Sequence, residues 1–155
     1  MRAVGPAGVA LIRRFEGLRL HAYQDAVGLW TIGYGHLLAE RNHVQLPSSS
    51  SLQIDEGQAE ELLAADSRLC ARAVLRLISV PLSDGQFDAL GSYVFNLGGG
   101  ALQRSTLRAV VNREEHESVP AEFTKWVWAG GRRLPGLVAR RAAEANLYEA
   151  SEMTR

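Results

Sequence analysis

The sequence predicts an α+β protein that is mostly helical, with a small β-hairpin near its N-terminus. Three observations lead to this fold class. Apolar residues repeat with helical spacing up to Glu16, the period changes to two from Leu18, and long helical stripes return after Asp55. With 155 residues, 46% of them hydrophobic and 22% charged, the chain is long enough to bury its own core.

The first predicted helix begins at Pro6 and ends at Glu16. Proline suits the first helical position, and Gly17 suits the left-handed conformation that often follows a helix end. Glu16 is therefore expected in the last turn, beside the exposed backbone carbonyls. The apolar stripe of this helix consists of Val9, Leu11, Ile12 and Phe15.

A β-hairpin is predicted next. Residues 18–23 alternate between two faces, residues 25–28 have turn composition, and residues 29–36 are expected to return as one strand. On that strand Thr31 would share a face with two glycines. Glycines in a short strand often mark a close approach, and here they would clear a path for a ligand.

A loop and a long helix are predicted after the hairpin. Residues 40–53 have loop composition and include four consecutive serines. Asp55 is expected to cap a helix that runs to about Val80, just before Pro81.

The C-terminal part is predicted to be helical throughout. Ser83 and Gln86 have capping-box spacing, and the glycines at 98–100 are expected to end the helix that follows. Cys70 has no partner for an intrachain disulfide and is expected to be a buried thiol. Three more helices are predicted over residues 106–112, 121–128 and 135–150.

The charge balance argues against a nucleic-acid-binding protein. Seventeen basic residues cancel seventeen acidic ones, so no strong overall field attracts phosphate. Four arginines in a stretch without acids nevertheless predict a local basic patch, which is more typical of a solvated helix face than of an anion site. These arginines are Arg132, Arg133, Arg140 and Arg141.

Two carboxylates flank the predicted hairpin, with Glu16 at a helix end and Asp25 in the turn. Carboxylates in contrasting environments are the usual equipment for cutting a glycosidic bond. Thr31 adds a hydroxyl that can hold a water molecule. Spacing alone favours simpler roles, in which Glu16 pairs with a nearby arginine, Asp25 caps the turn and Thr31 is an ordinary strand residue.

The run E-G-x5-Y-x-D-x2-G-x2-T-I-G-Y-G-H, from Glu16 to His36, resembles the phage-type lysozymes, also called endolysins or muramidases. The resemblance continues through QFDALGSYVFNLGGGALQRSTL, FTKW and LPGLVARRAAEANLY, in the family's order. It implies a two-lobed lysozyme-like fold in a single catalytic domain over residues 1–155. The parts expected from it are a small N-terminal lobe at about 15–55, a connecting helix at about 55–80 and a helical C-terminal lobe at 81–150.

The resemblance also implies an activity and its residues. The family hydrolyses the β-1,4 bond between N-acetylmuramic acid and N-acetylglucosamine in peptidoglycan, for host lysis and phage release. Glu16 matches its general acid, Asp25 its second carboxylate and Thr31 its water-positioning residue. Related lysozymes invert the anomeric carbon, which needs carboxyl groups roughly 6.5–9.5 Å apart. Relatives with another residue at the threonine position differ in the stereochemistry of the reaction, so both inversion and retention stay open.

Other positions match the places where the family lines its sugar cleft. These are Leu37, Phe95 and Thr106, although Phe95 on an apolar helix face is equally well interpreted as a core residue. His36 is expected to make a structural hydrogen bond or ion pair within the small lobe.

The expected partner is bacterial peptidoglycan, and no cofactor, metal or nucleic acid is expected. The chain shows no signal segment and no run of membrane-spanning length, so we expect no stable membrane association. A monomer is the simplest expectation. It would wait in the host cytoplasm until a separate holin opens the inner membrane, and then act in the periplasm on the cell wall. A binding module with a lysozyme fold is one alternative, although the retained trio argues against it. A zinc amidase or peptidase is another, although a spacing such as H-E-x-x-H is missing.

Overall fold

A computed structural model describes residues 1–38 and 52–150. The predicted serine-rich loop lies almost entirely outside the described residues. The chain divides into two compact units. We call Glu16–Asp66 the sheet unit, and Met1–Phe15 together with the chain from Ser67 onward the helical unit. Among the described helices, none is long and apolar enough to cross a membrane.

Helix α1 spans Pro6–Glu16, which confirms both predicted ends. Gly17 follows with φ of 71°, the left-handed conformation that a glycine adopts without strain. Leu11 and Ile12 are buried, as the predicted stripe requires. The helix therefore ends with Glu16 at its last position.

The sheet unit contains a three-stranded antiparallel sheet in the order β1 (Arg19–Gln24), β2 (Trp30–Gly33) and β3 (His36–Leu37). The prediction of a single returning strand over 29–36 was wrong, because the chain turns at Tyr34. Gly33 and Gly35 have φ of 66° and 74°, and these left-handed conformations break the strand into a second hairpin. Tyr34 consequently lies in a turn, while Ile32 and His36 face each other across β2 and β3.

Helix α2 spans Glu56–Leu77. Asp55 caps it as predicted: its Oδ1 accepts from the Gln58 N–H at 2.7 Å, and Gln58 Oε1 accepts from the Asp55 N–H at 2.9 Å. The boundary between the two units falls inside this helix, after Asp66. Cys70 is buried, as predicted.

The end of α2 comes three residues earlier than predicted. The residue four positions after Leu77 is Pro81, which has no N–H to donate to the Leu77 carbonyl. Arg108 Nε and Asn112 Nδ2 donate to that carbonyl instead, each at 3.0 Å. Side chains from a later helix therefore terminate α2 where its own backbone cannot continue.

The helical unit continues with α3 (Asp84–Leu97), α4 (Gly99–Arg104), α5 (Thr106–Asn112), a 3-10 turn (His116–Ser118) and α6 (Val119–Phe123). A hairpin of β4 (Trp128–Ala129) and β5 (Arg132–Arg133) precedes α7 (Pro135–Ala150). The predicted capping box of Ser83 and Gln86 is present, and Gly98 follows the end of α3 with φ of 87°. The bounds of α5 and α7 agree with the prediction. The helix predicted over 121–128 has other bounds: α6 begins two residues earlier and ends at Phe123, and the chain then forms the hairpin.

The core of the helical unit lies between α3, α6 and α7. Tyr93 and Phe123 meet edge to face with ring centroids 5.9 Å apart, and Phe123 and Tyr148 do so at 6.0 Å. Phe87 and Leu90 complete the buried face of α3. This packing fixes the face of α3 that carries the predicted cleft residue Phe95.

A buried ion cluster joins α3 to α7. Glu144 is fully buried and lies 2.8 Å from Arg141 Nε and 3.3 Å from Arg140 Nε, and Ser92 donates its hydroxyl hydrogen to Glu144 Oε1 at 2.7 Å. Arg141 also donates to Asn96 Oδ1 at 2.7 Å. Burial raises the pKa of Glu144, while Arg141, Ser92 and Arg140 act in the opposite direction.

The ion cluster corrects the predicted basic patch. Arg140 and Arg141 are 3% and 0% exposed and face Glu144, so they belong to the core. Only Arg132 and Arg133 lie on the surface, on the short hairpin. The solvated helix face predicted for these four arginines was therefore wrong for Arg140 and Arg141, whereas Arg132 and Arg133 are solvated but lie on a hairpin and not on a helix.

Candidate active site

Glu16, the last residue of α1, places its carboxyl group against the turn between β2 and β3. A Cβ atom built on Gly35 would lie 2.9 Å from Glu16 Oε2, which is closer than real Cβ contacts come. Gly35 therefore leaves the space that the carboxyl group occupies. Glu16 itself is half-buried.

Replacing Gly35 with alanine tests this contact. The new methyl group would displace the Glu16 carboxyl, and φ of 74° would add strain. We expect stability to fall by about 1–2 kcal/mol. The rate of the peptidoglycan hydrolysis that the family resemblance implies should fall by about tenfold or more. The measurements are urea unfolding and release of reducing ends.

The matched control for this variant is Gly98→Ala. Gly98 also has a positive φ, of 87°, but an added Cβ meets nothing within 4 Å. This variant should lose stability and keep its activity per folded molecule. Equal activity losses in the two variants would show that backbone strain, and not the Glu16 contact, is responsible.

Asp25 lies in the turn between β1 and β2, at the other end of β2. Its Oδ1 accepts from the backbone N–H groups of Val27 and Leu29, both at 2.9 Å. The Asp25 N–H also donates to the Leu29 carbonyl at 2.9 Å, which extends the strand pairing. Asp25 thus caps the turn, as the simpler interpretation predicted, and Oδ2 is the oxygen that these two bonds do not use.

Thr31 lies on the central strand, between the two carboxylates along β2. It pairs with Tyr23 on β1 and with Leu37 on β3, and directly opposed residues place their side chains on one face of a sheet. Asp25 follows Tyr23 by two positions and so continues that face. Thr31 is only 3% exposed, and its hydroxyl donates to the Leu29 carbonyl at 3.1 Å. Leu37 is 51% exposed beside it.

The two glycines of this region lie next to side chains of the protein, and not beside the open ligand path that was predicted. Gly33 is buried, and a Cβ on it would lie 3.6 Å from both Ala59 Cβ and Ile54 Cδ1. Gly35 makes room for Glu16. Both glycines are required by positive φ, and the open space expected over Gly33 is filled by side chains.

His36 forms the predicted ion pair within the sheet unit. Its Nδ1 lies 2.8 Å from Asp66 Oδ2, and the two side chains are 28% and 23% exposed. The hydrogen bond to Asp66 raises the pKa of His36 above its ordinary value of 6.5, against the opposite effect of burial. The pair ties β3 to α2.

A pH-dependent stability follows from this pair. The folded-state pKa is raised, so the contribution is fully present below pH 6.5 and is lost as pH rises through the folded-state pKa. We expect His36→Asn to lower the free energy of unfolding by about 1 kcal/mol at pH 5.5 and by less at pH 9. Urea unfolding at both pH values measures this, with His21→Asn, an exposed histidine, as the control. A pH-independent loss would contradict the ion-pair interpretation.

Phe95 and Thr106, the other predicted cleft residues, belong to the helical unit. Phe95 is half-buried near the end of α3 and packs against the hydrophobic core, which confirms its predicted core role, while its place in the sugar cleft stays a prediction. Thr106 is the exposed first residue of α5, directly after the cap formed by the Ser105 hydroxyl. The sheet unit brings together the other four candidates, which are Glu16, Asp25, Thr31 and Leu37.

Two residues of the site escaped sequence reasoning. Gly35 was noticed as a strand glycine, but its contact with Glu16 needs the second hairpin. Tyr23 shares the face of Thr31 and precedes Asp25 by two positions, a spacing that was visible in the motif. Among the described residues, no group of three or more His, Cys, Asp or Glu side chains is placed to hold a metal ion.

Comparison with known proteins decides the family. The sequence profile described as phage lysozyme matches residues 13–144. This chain belongs to the phage lysozyme family. It is 40% identical to an endolysin of Acyrthosiphon pisum secondary endosymbiont phage 1, over 96% of this chain and 99% of that protein. It is 34% identical to the endolysin of Salmonella phage P22, with the same shares covered.

Some relatives of the phage lysozyme family are longer. An endolysin of Bacillus phage B103 is 38% identical over 96% of this chain, which spans 55% of that protein's length. Solved structures confirm the predicted lysozyme-like α+β fold. A muramidase domain of SpmX from Asticaccaulis excentricus has a TM-score of 0.83 and 34% identity, covering 96% of this chain and 98% of that one. A mutant of the P22 lysozyme has a TM-score of 0.82 and 32% identity, covering 96% of this chain and 99% of that one.

Membership of the phage lysozyme family confirms the predicted class of enzyme. The chain is a glycoside hydrolase of the lysozyme type. Its class acts on peptidoglycan in cell lysis, so the cell wall is its site of action.

Proposed function

We propose that this lysozyme hydrolyses the β-1,4 bond between N-acetylmuramic acid and N-acetylglucosamine, with Glu16 as general acid. The observation that carries the proposal is the placement of Glu16 and Asp25 at opposite ends of β2, with Thr31 between them. Cleavage of a glycosidic bond needs two carboxyl groups on either side of the scissile bond. The end of α1 supplies one of these groups, and the hydrogen-bonded turn between β1 and β2 supplies the other.

Glu16 is suited to protonate the leaving oxygen. It ends a helix, is half-buried, and rests on a glycine turn that leaves its carboxyl group in place. A positioned acid needs such a fixed carboxyl, because proton transfer depends on hydrogen-bond geometry in the transition state.

Asp25 is suited to the role of second carboxylate. Two backbone N–H groups hold its Oδ1, which fixes the position of the carboxyl group in the turn. Its Oδ2 is the oxygen for a water molecule or for the developing positive charge on the sugar. The Thr31 hydroxyl donates its hydrogen to the Leu29 carbonyl. Its oxygen lone pairs can therefore accept a hydrogen bond from that water.

The remaining parts of the proposal concern substrate and setting. Leu37, exposed on the face of Thr31, would contact a sugar, and Phe95 and Thr106 would line the sugar site on the helical unit. We propose that the chain acts as a monomer, waits in the host cytoplasm, and reaches the periplasm through a separate holin.

Digestion of purified peptidoglycan tests the reaction. A muramidase releases new reducing ends that chemical reduction identifies as N-acetylmuramic acid, and its activity survives a chelator because its chemistry uses carboxyl groups. New reducing ends of N-acetylglucosamine would place the cut at the other bond. New amines in place of reducing ends, lost on adding a chelator, would identify an amidase or peptidase and overturn the proposal.

A further inference from the structure

The hairpin of β4 and β5 displays an unusual set of side chains to solvent. Trp128 is 63% exposed and Leu134 is 38% exposed, and every residue from Trp128 to Gly136 is exposed. A large exposed aromatic side chain leaves apolar surface in water that a partner would bury. A solvated, charged turn would account for the arginines of this hairpin, but it would not explain why Trp128 is exposed.

The geometry of the hairpin presents Trp128 and Arg133 side by side. They are opposed across the two strands, while Ala129 and Arg132 close a two-residue turn of Gly130 and Gly131. Both glycines have positive φ, 56° and 74°, as a tight type I′ turn requires. The Leu134 N–H donates to the Val127 carbonyl at 2.9 Å, so Val127 and Leu134 form a hydrogen-bonded pair. The adjacent pair of Trp128 and Arg133 is therefore a non-hydrogen-bonded pair, the type in which opposed side chains lie closest.

The hairpin also carries positive charge without a compensating acid. No acidic residue occurs between Lys125 and Glu144 in the sequence, and Glu144 is used by the buried cluster. Within the described chain, neither Arg132 nor Arg133 forms an ion pair. A groove of about 350 Å³ adjoins Arg133 and is lined also by Pro135, Val138 and Ala139.

We propose that this hairpin of the helical unit is a docking surface for a peptidoglycan strand. A sugar ring would stack on Trp128, and a carboxylate of the stem peptide would bind Arg133 beside the groove. The complementarity is chemical: peptidoglycan combines sugar rings with carboxylate-bearing peptides, and the hairpin combines an aromatic face with an adjacent guanidinium. The inference rests on the proposed function only for the identity of the polymer.

Co-sedimentation with purified, insoluble peptidoglycan tests the proposal, with all variants built in the Glu16→Gln chain to slow digestion. We expect Trp128→Ala to weaken binding about tenfold and Arg133→Ala about threefold. The same assay on insoluble peptidoglycan whose carboxyl groups have been converted to uncharged amides should keep the Trp128 effect and abolish the Arg133 effect. That second result would identify the carboxylate as the partner of Arg133.

Matched controls come from exposed positions on α2. Leu69→Ala removes an apolar side chain that is 60% exposed, and Arg68→Ala removes an exposed guanidinium. Both should bind like the parent. Equal weakening in these controls, unchanged binding in the hairpin variants, or an Arg133 effect that persists on the amidated peptidoglycan would each overturn the proposal. So would a loss confined to anionic phospholipid vesicles, because the surface would then serve a membrane.

The experiment also distinguishes a failure of the hairpin proposal from a failure of the proposal that Glu16 is the general acid. If the Glu16→Gln chain still releases reducing ends, Glu16 is not the acid, while the fraction bound in the first minutes continues to report on the hairpin.

Discussion

Glu16→Gln is expected to lower the release of reducing ends from peptidoglycan by about a thousandfold, since a positioned general acid contributes about 10² to 10⁴ in rate. The amide has the same size as the carboxyl, so it fits over Gly35, but it has no proton to give to the leaving oxygen. Binding of the polymer should change little, because the loss falls on the chemical step. Initial rates over a range of peptidoglycan concentrations measure both effects.

The control for this variant is Glu117→Gln, which makes the same chemical change at an exposed position in the 3-10 turn. It should keep full activity. Unfolding curves establish that both variants are folded. A Glu16→Gln enzyme with more than a tenth of the parent rate would exclude Glu16 as the acid, and Asp25→Asn would then be the next variant to measure.

Glu144→Gln is expected to give the largest loss of stability, about 3–5 kcal/mol. The variant leaves Arg140 and Arg141 buried at 3% and 0% exposure without their counter-ion. For a chain of this size, the loss corresponds to a fall in Tm of roughly 10 °C. Urea unfolding and thermal unfolding at neutral pH measure it.

The surface pair of Arg113 and Glu115 supplies the comparison. Its Nε to Oε1 distance is 2.6 Å, shorter than either distance in the buried cluster, but the side chains are 56% and 45% exposed. Glu115→Gln should therefore leave the free energy of unfolding nearly unchanged. If the two variants lose similar stability, burial is not what makes the Glu144 cluster important.

Local signals predicted the ends of several helices correctly. Pro6 and Gly17 bracket α1, Asp55 caps α2, and Ser83 with Gln86 begins α3. Each of these depends on hydrogen bonds or backbone conformations within a few residues, which is why the sequence reveals them. The candidates Glu16, Asp25 and Thr31 were also visible in the sequence, although the choice among many carboxylates came from the family resemblance.

Errors occurred where distant segments decide the outcome. The end of α2 at Leu77 depends on Arg108 and Asn112, which donate to its last carbonyl across about thirty residues of chain. The hairpin at Trp128 interrupts what has the composition of a helix. Arg140 and Arg141 look like surface charges until Glu144 and Ser92 are seen to enclose them.

By itself, the sequence of this phage lysozyme determined its mixed, mostly helical class, the helix that ends at Glu16, and the turn at Asp25. These follow from periodicity, caps and turn residues, which act over one or two turns of chain. Only the tertiary structure decided that Gly35 makes room for the Glu16 carboxyl, that Thr31 lies between both carboxylates, and that two of four clustered arginines are buried. Strand register and the pairing of distant charges create these relationships, and no local pattern encodes them.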